Sequence, residues 1–437
     1  MPCSRITGIF GTNSSGKTSL LQFILLLKQT KDATDRAVSI DLNGDFVKLG
    51  TIADAIHAHD ETKIIDWRIT FKLDQELILR DPSGKVISRG HRLTLRSGID
   101  VHATAPRTRK LSYTLGGLKF VLEGRNGSDR DFDLVAIPKS DSNTGSGFHF
   151  IRTLGRKWQL PAPIKSYAFP DQARTYFQNA SFLSDLEVSY EASLDKTFYL
   201  GPLREYPQRD YLWARSKPTD VGQRGEKVID AILAATEAGE MRNLRHKARR
   251  WSFQRMVAYW LREMGLIYDF NVVEIAPGSN RWQARVRTKP GGSEVLLTDV
   301  GFGVSQVLPV VTLLQYVPEG STVILEQPEI HLHPLAQSAL ADVIIQAAVH
   351  RNVQVILESH SEHLLLRLQR RIAEGDLDYE NVKMYFCDAP YGQSRLMKLD
   401  VDLYGNIRNW PDRFMGDQFS ETAKAELARL KRIQSGE

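Results

Sequence analysis

A short apolar run, Ile6 to Phe10, ends in Gly11-Thr12-Asn13-Ser14-Ser15-Gly16-Lys17-Thr18, and a strongly apolar stretch from Ser19 to Gln29 follows at once. This pattern fits G-x-x-x-x-G-K-[ST] at every fixed position, and it restricts the fold more than any other feature of the chain. A buried strand, a glycine-bounded loop and a helix are predicted as one unit. The two glycines let the backbone curl until successive N–H groups point inward, and the helix adds the positive end of its dipole. The loop is therefore expected to hold the phosphates of ATP through Gly11, Asn13, Ser14, Ser15, Gly16, Lys17, Thr18 and Ser19. Lys17 reaches the β and γ phosphates in this reading, and the Thr18 hydroxyl ligates Mg²⁺. The competing reading is a glycine turn that only caps a helix.

A second apolar run, Ser321 to Leu325, leads into Glu326-Gln327-Pro328-Glu329 and then Ile330-His331-Leu332-His333-Pro334. P-loop enzymes hold their metal with a carboxylate delivered on such a strand beside the loop, and Glu326 takes that place. The next position usually carries a glutamate that activates the attacking water. Here it is Gln327. An amide orients water but cannot take its proton, so slow turnover and a long-lived ATP-bound state are predicted. Glu329 and His331 are both candidates for a substitute base. His331 and His333, two residues apart, suit either a metal pair or packing and switch contacts.

Two further elements refine this reading. Thr298 to Gln306 is a glycine-containing turn that opens an apolar helix, which makes it either a second anion site or simply the start of that helix. In ABC and SMC-type ATPases such a turn binds the γ-phosphate held by the other protomer, a role that would fall to Gly301, Gly303, Ser305 and Gln306. The serine stands later than usual, since the glycines flank Phe302. Val353 to Leu357 is another apolar strand, ending in Glu358-Ser359-His360. A histidine at this place is either the switch residue that senses the γ-phosphate or an ordinary loop histidine.

Between these motifs the texture changes. Residues 38 to 152 read as short alternating strands with turn chemistry, a mostly antiparallel sheet, with a polar loop at Ser140 to Ser146. Residues 171 to 196 turn helical, and Val221 to Ala238 and Arg242 to Met264 read as further helices. A hairpin is predicted with Pro277-Gly278-Ser279-Asn280 as its turn. Helix, strand, helix and strand then follow at 303–317, 321–326, 335–349 and 353–358, an order that argues for parallel strands with crossover helices. The fold class is α/β, an ABC-type P-loop core with a mixed sheet and flanking helices. Residues 1–35 and 265–400 are assigned to that core, 36–264 to an inserted antiparallel β lobe and helical arm, and 401–437 to a C-terminal docking segment.

Composition excludes other classes. The 437 residues are 42% hydrophobic and 25% charged, as in an ordinary globular protein, and carry only two cysteines, Cys3 and Cys387. A disulfide framework is thereby excluded and a reducing cytoplasm fits. No run is long and unbroken enough to span a bilayer, and a phosphate loop beginning at Gly11 leaves no signal peptide in view. A net charge of +5 permits nucleic-acid contact without arguing for it.

Together the P-loop, Gly-Phe-Gly-Val-Ser-Gln, Leu-Glu-Gln-Pro-Glu-Ile-His-Leu-His-Pro and Ser-His-Ser-Glu-His resemble the AAA/ABC-type ATPases related to the OLD (overcoming lysogenization defect) family. Within that clan the chain is most similar to ATPases of bacterial anti-phage systems such as Septu. Tyr199 to Arg204 with Pro207 and Arg209, Val221 to Glu226, and the tail from Tyr404 to Pro411 extend the resemblance along nearly the whole chain. It implies a homodimer or higher oligomer closed around two ATP molecules. Relatives carry a β-hairpin before the P-loop strand, where this chain has five residues before Ile6. Relatives in the OLD group proper also carry a C-terminal nuclease domain with paired carboxylates. No such array follows His360, so a separate nuclease or other effector subunit is expected. Arg242, Arg245, Lys247, Arg249 and Arg250, near Trp251 and Phe253, either track a nucleic-acid backbone from a helix or form a solvated face. A Ser420 to Ile433 helix with an apolar stripe at Ala423, Leu427, Leu430 and Ile433 either docks a partner or packs on its own domain.

Overall fold

The computed structural model describes residues 1–102, 105–125, 131–138, 147–155, 158–245, 247–411 and 427–430. The chain divides into two compact units, Met1–Leu21 with Phe198–Glu437, and Gln22–Thr197. The loop read at Ser140 to Ser146, and Ala423 and Ile433 of the terminal stripe, lie outside the described residues.

The first unit is built on a six-stranded sheet. Its strands are β1 (Ile6–Gly11), β2 (Thr197–Leu200), β3 (Thr322–Glu326), β4 (Gln354–Glu358), β5 (Val382–Asp388) and β6 (Arg395–Leu399), in the spatial order β6-β5-β1-β4-β3-β2. β1 is parallel to β4 and β5, and β3 is parallel to β4, while β6 runs antiparallel to β5. β1, β3 and β4 are buried on both faces, which is why they read as continuous apolar runs rather than alternating ones. The strand that follows the acidic one in sequence is inserted between it and the P-loop strand. Val355 of β4 pairs with Ile6 on one side and Val323 on the other.

Helix α1 (Lys17–Asp32) follows β1. Helices α2 (Val228–Glu237), α3 (Phe253–Glu263), α4 (Phe302–Tyr316), α5 (Pro334–His350) and α6 (Glu362–Ala373) supply the rest of the core. α6 shows an ordinary amphipathic stripe, with Leu364, Leu365, Leu368 and Ile372 buried. α4 is different, because every residue from Val304 to Tyr316 is buried. A helix enclosed on all sides is expected to be apolar all round, and this one is so apart from the buried Ser305, Gln306, Thr312 and Gln315. Its interior Pro309 is approached so closely that a Cβ on Gly225 would lie 2.5 Å from the proline ring. The carbonyls at the C-terminal end of α4 have specific partners. Buried Arg351 donates from Nη1 to the Leu314 carbonyl and from Nη2 to that of Val317 at 2.6 Å. The Arg242 Nε donates to the Gln315 carbonyl at 2.8 Å.

The predicted hairpin is present. Strands Asp269–Glu274 and Arg281–Arg287 pair antiparallel around the Pro277 to Asn280 turn. Two predicted helices are shorter than their apolar patterns imply. Val221 to Lys227 is a loop turning on Gly222 and Gly225, both at positive φ, so α2 starts only at Val228. Residues 241–252 include two-residue strands, Met241–Arg242 and Trp251–Ser252, which pair with each other, and α3 starts at Phe253. The basic residues are therefore not on a helix. Arg242 turns inward and pairs with Glu240 at 2.6 Å, whereas Arg245, Lys247, Arg249 and Arg250 are exposed. The division between units also falls elsewhere than expected. β2 belongs to the central sheet and α2 and α3 to its core, so residues 198–264 go with the first unit rather than with the insertion.

The second unit carries a five-stranded antiparallel meander, Ile65–Arg80, Val86–His102, Ala105–Leu115, Leu118–Gly124 and Phe132–Pro138, each strand beside the next in sequence. Helix Leu183–Asp195 belongs to the same unit, as does a cluster of Phe120, Phe148, Phe150 and Phe182. Among the described residues no helix is long and apolar enough to cross a membrane.

Arg351→Met keeps the aliphatic stem but leaves the Leu314 and Val317 carbonyls without their donor. With about 1–3 kcal/mol for each buried polar group left unpaired, a loss of roughly 2–4 kcal/mol is expected. Urea unfolding followed by tryptophan fluorescence checks this as a lowered midpoint.

Candidate functional site

The P-loop is positioned by β1 and held from beneath by β5. Gly11 has φ +145°, and a Cβ there would fall 1.9 Å from the Cys387 carbonyl oxygen, so only glycine lets β1 turn at this point. Cys387 supports the loop in return, its Sγ donating to the Ser15 carbonyl at 2.9 Å. Gly16 has φ +89° and Ser14 φ +58°, giving the alternation of backbone twist that turns successive N–H groups inward. Lys17 lies across the loop with Nζ donating to the Thr12 carbonyl at 2.6 Å. Ser15 is fully buried, yet its hydroxyl has no partner. In front of the loop lies a cleft of about 340 Å³, lined by residues 13–19 together with Gln327, Glu358 and His360.

The carboxylates are arranged differently from the sequence reading. Because β4 is inserted between β1 and β3, the acidic side chain beside the P-loop is Glu358, not Glu326. The Thr18 hydroxyl donates to Glu358 Oε2 at 2.8 Å. Glu326 stands one strand farther out, in register with Glu358, and is not among the residues lining the cleft. Its Oε1 accepts from the Tyr199 hydroxyl at 3.1 Å, and the Arg204 guanidinium reaches its main-chain carbonyl at 3.4 Å. Burial pushes the Glu326 carboxyl up to about 7; Glu358 adds to the shift, while Tyr199 and Arg204 oppose it. Burial likewise lowers Lys17, against the pull of Glu358.

Gln327 lines the cleft at φ +43°, with its N–H donating to the Glu358 carbonyl at 2.9 Å. Glu329 has another task. Its Oε1 accepts from the Ser359 hydroxyl at 2.8 Å and from the His360 N–H at 2.7 Å, and its buried Oε2 has no partner. Burial raises its pKa. Glu329 therefore fixes the Ser359–His360 loop and does not line the cleft. His360, exposed to solvent, does line it, and partial desolvation with the nearby Lys17 charge lowers its pKa. His331 packs its ring on Phe302 at 4.9 Å between centroids, and the His333 ring accepts from the Leu335 N–H at 3.4 Å as the N-cap of α5. Packing and capping, rather than metal binding, describe both.

The turn at Gly301 to Gln306 is not brought to this cleft. Gly301 is exposed at the N-cap of α4, and a Cβ on Gly303 would lie 3.1 Å from the His331 carbonyl. Ser305 is buried and its hydroxyl turns back to the Phe302 carbonyl at 2.8 Å. Gln306 is buried too, with its amide nitrogen unpartnered.

Comparison with protein families identifies the domain. Residues 6–367 match the model of the family described as "AAA domain, putative AbiEii toxin, Type IV TA system". The chain belongs to this family. Residues 377–424 match a second family, described as a protein of unknown function (DUF3696). No curated protein matches the chain. Among solved structures, the SMC head bound to the C-winged helix domain of ScpA is 12% identical, with 92% of this chain and 93% of that one covered at a TM-score of 0.43. The SMC head domain from Thermotoga maritima is also 12% identical, over 92% and 93%, at 0.36. The Smc head with an extended coiled coil from Pyrococcus furiosus is 8% identical, over 99% and 94%, at 0.38.

The residues of this AAA domain suit Mg-ATP. Lys17 and the inward backbone amides form a cradle for anionic phosphates, and the unpartnered Ser15 hydroxyl leaves a polar group in the loop unsatisfied by protein. Thr18, Glu358 and Glu326 offer the hard oxygen donors that Mg²⁺ prefers. Three contributors escaped the motif reading. In the sequence, Tyr199 and Arg204 belong only to the resemblance, and Glu358 is only the residue before Ser359-His360. A carboxylate ending a second apolar strand was the available signal for Glu358.

The Glu326 shift has a consequence for stability. Unfolded, this carboxyl titrates near 4.5, and in the folded AAA domain near 7. A raised pKa gives stability that is full below 4.5 and is lost as pH climbs through 7. The stability of the AAA domain in EDTA should therefore fall across that window by roughly 3 kcal/mol. In Glu326→Gln this part of the slope should vanish. Melting temperatures recorded from pH 4.5 to 8 for both proteins check it.

Proposed function

We propose that this chain binds Mg-ATP at the P-loop, hydrolyses it slowly, and closes as a homodimer around nucleotide to control a separate nucleic-acid-directed effector in the cytoplasm. The observation that carries the reading is the cleft, where Lys17, Thr18, Glu358, Gln327 and His360 converge on one volume. Lys17 and the loop amides would hold the phosphates, and Thr18 with the carboxylates would hold Mg²⁺, which neutralises phosphate charge when bound. Gln327 occupies the border of the cleft where a base would act. Its amide can orient the attacking water, but the proton must leave by another route. His360 is suited to contact the γ-phosphate and register its loss.

Dimerisation is supported by the turn that the cleft lacks. Gly301 is exposed and opens a long helix, yet it lies outside its own chain's cleft, so a second copy would have to present it. A role in anti-phage defence, in the manner of OLD-related ATPases such as those of Septu, rests on the sequence resemblance. The toxin named in the family description points in the same direction. The exposed Arg245, Lys247, Arg249 and Arg250 are the candidate surface for nucleic acid. A second reading is a non-hydrolytic, nucleotide-gated clamp. It is favoured by one observation: Gln327 stands in the base position while Glu329 is occupied with the switch loop.

Steady-state ATP hydrolysis, with and without DNA or RNA, separates the two. Turnover should disappear in Lys17→Ala, drop on the order of a hundredfold in His360→Ala, and rise tenfold or more in Gln327→Glu. Tight binding without turnover in wild type, His360→Ala and Gln327→Glu would favour the clamp.

A further inference from the structure

We propose that Glu358 is a carboxylate ligand of the Mg²⁺ that accompanies ATP, bound directly or through one water, so that the cation site draws on carboxylates from two adjacent strands. The inference rests on the ATP reading above and adds a residue that the usual motifs leave out.

Strand order supplies the first argument. Parallel neighbours lie about 4.8 Å apart, so a residue at the end of β4 is one spacing from the P-loop strand, and a residue at the end of β3 is two. Glu358 pairs with Ile9 of β1 on one side and with Glu326 of β3 on the other. It is thus the nearer carboxylate to the helix that starts at Lys17. Contact supplies the second argument. The Thr18 hydroxyl, the P-loop group expected on the metal, donates to Glu358 at 2.8 Å, whereas one oxygen of Glu326 is engaged by Tyr199. Glu358 lines the cleft and Glu326 does not.

Charge supplies the third. Glu358 is 3% exposed and Glu326 6%, and in adjacent register they place two acidic groups side by side away from water. Two like charges in such a setting are costly unless a cation lies with them. Lys17 faces the cleft but is also needed for the phosphates. A divalent cation with a preference for oxygen is the simplest partner that both carboxylates and the Thr18 hydroxyl can share. The fully buried Ser15 hydroxyl, without a partner in the same loop, shows independently that the cleft is built for a polar occupant.

The test reads binding rather than turnover. Affinity of the full-length chain for a non-hydrolysable fluorescent ATP analogue is measured in Mg²⁺ and in EDTA, for wild type, Glu358→Gln and Glu326→Gln. In Glu358→Gln the affinity in EDTA should rise, because a negative charge beside the triphosphate is gone, while the affinity in Mg²⁺ falls. The ratio of the two should shrink at least tenfold. An unchanged ratio in Glu358→Gln would overturn the assignment. Equal weakening in both conditions would mark a structural role and overturn it as well. Should Glu358→Gln fail to fold, Glu358→Asp decides: the Mg²⁺ concentration for half-saturation should rise several-fold, and no rise would overturn the proposal. Wild type that binds no nucleotide in either condition would instead remove the ATP reading, and this inference with it.

Discussion

Two carboxylates side by side at the ends of parallel strands, both withdrawn from water, are the constraint around which the nucleotide-binding unit is arranged. Neither Glu326 nor Glu358 would be tolerated there alone, since a buried charge needs a partner or a proton. The fold supplies compensation from several directions. Lys17 arrives from the P-loop, the Tyr199 hydroxyl from the end of β2, and the Arg204 guanidinium from the loop beyond it. Arg204 is itself buried, and burial lowers its pKa to about 10, so cation and anions depend on one another. This explains why residues 198–204 go with the central sheet. Without them the acidic pair would have no cover on the β3 side.

How much of this was legible in the sequence depended on how local the cause was. The P-loop could be read because strand, turn and helix are contiguous and the glycine requirement at Gly11 is absolute: the Cys387 carbonyl occupies the space of a side chain. β3, β4 and their helices could be read because strands buried on both faces must be apolar without interruption. The insertion of β4 between β1 and β3 could not be read, since sequence order does not dictate spatial order, and with it went the identity of the carboxylate beside Thr18. The helices predicted over 221–238 and 242–264 ran too long for a related reason. Gly222 and Gly225 take positive φ, and Met241–Arg242 and Trp251–Ser252 pair as short strands, with Leu244 and Trp251 packed against the core, rather than forming a helical face. Apolar spacing alone does not distinguish those uses.

Gln327 is the position at which geometry and chemistry part company. Its backbone is in the left-handed region, an arrangement that costs a residue other than glycine on the order of 1 kcal/mol. Pro328 follows and narrows its freedom further. Such strain persists only where neighbours over-determine it, and here they do. The Gln327 N–H is bonded to the Glu358 carbonyl, and two residues on, Glu329 grips Ser359 and the His360 N–H. The loop after β3 and the loop after β4 are thus tied at two points. A change at His360 would pass to Gln327 through hydrogen bonds rather than through loose chain. Under the proposed function, an amide at 327 removes a base without touching these hydrogen bonds, so it would act on the speed of the chemistry and not on the tie between the two loops.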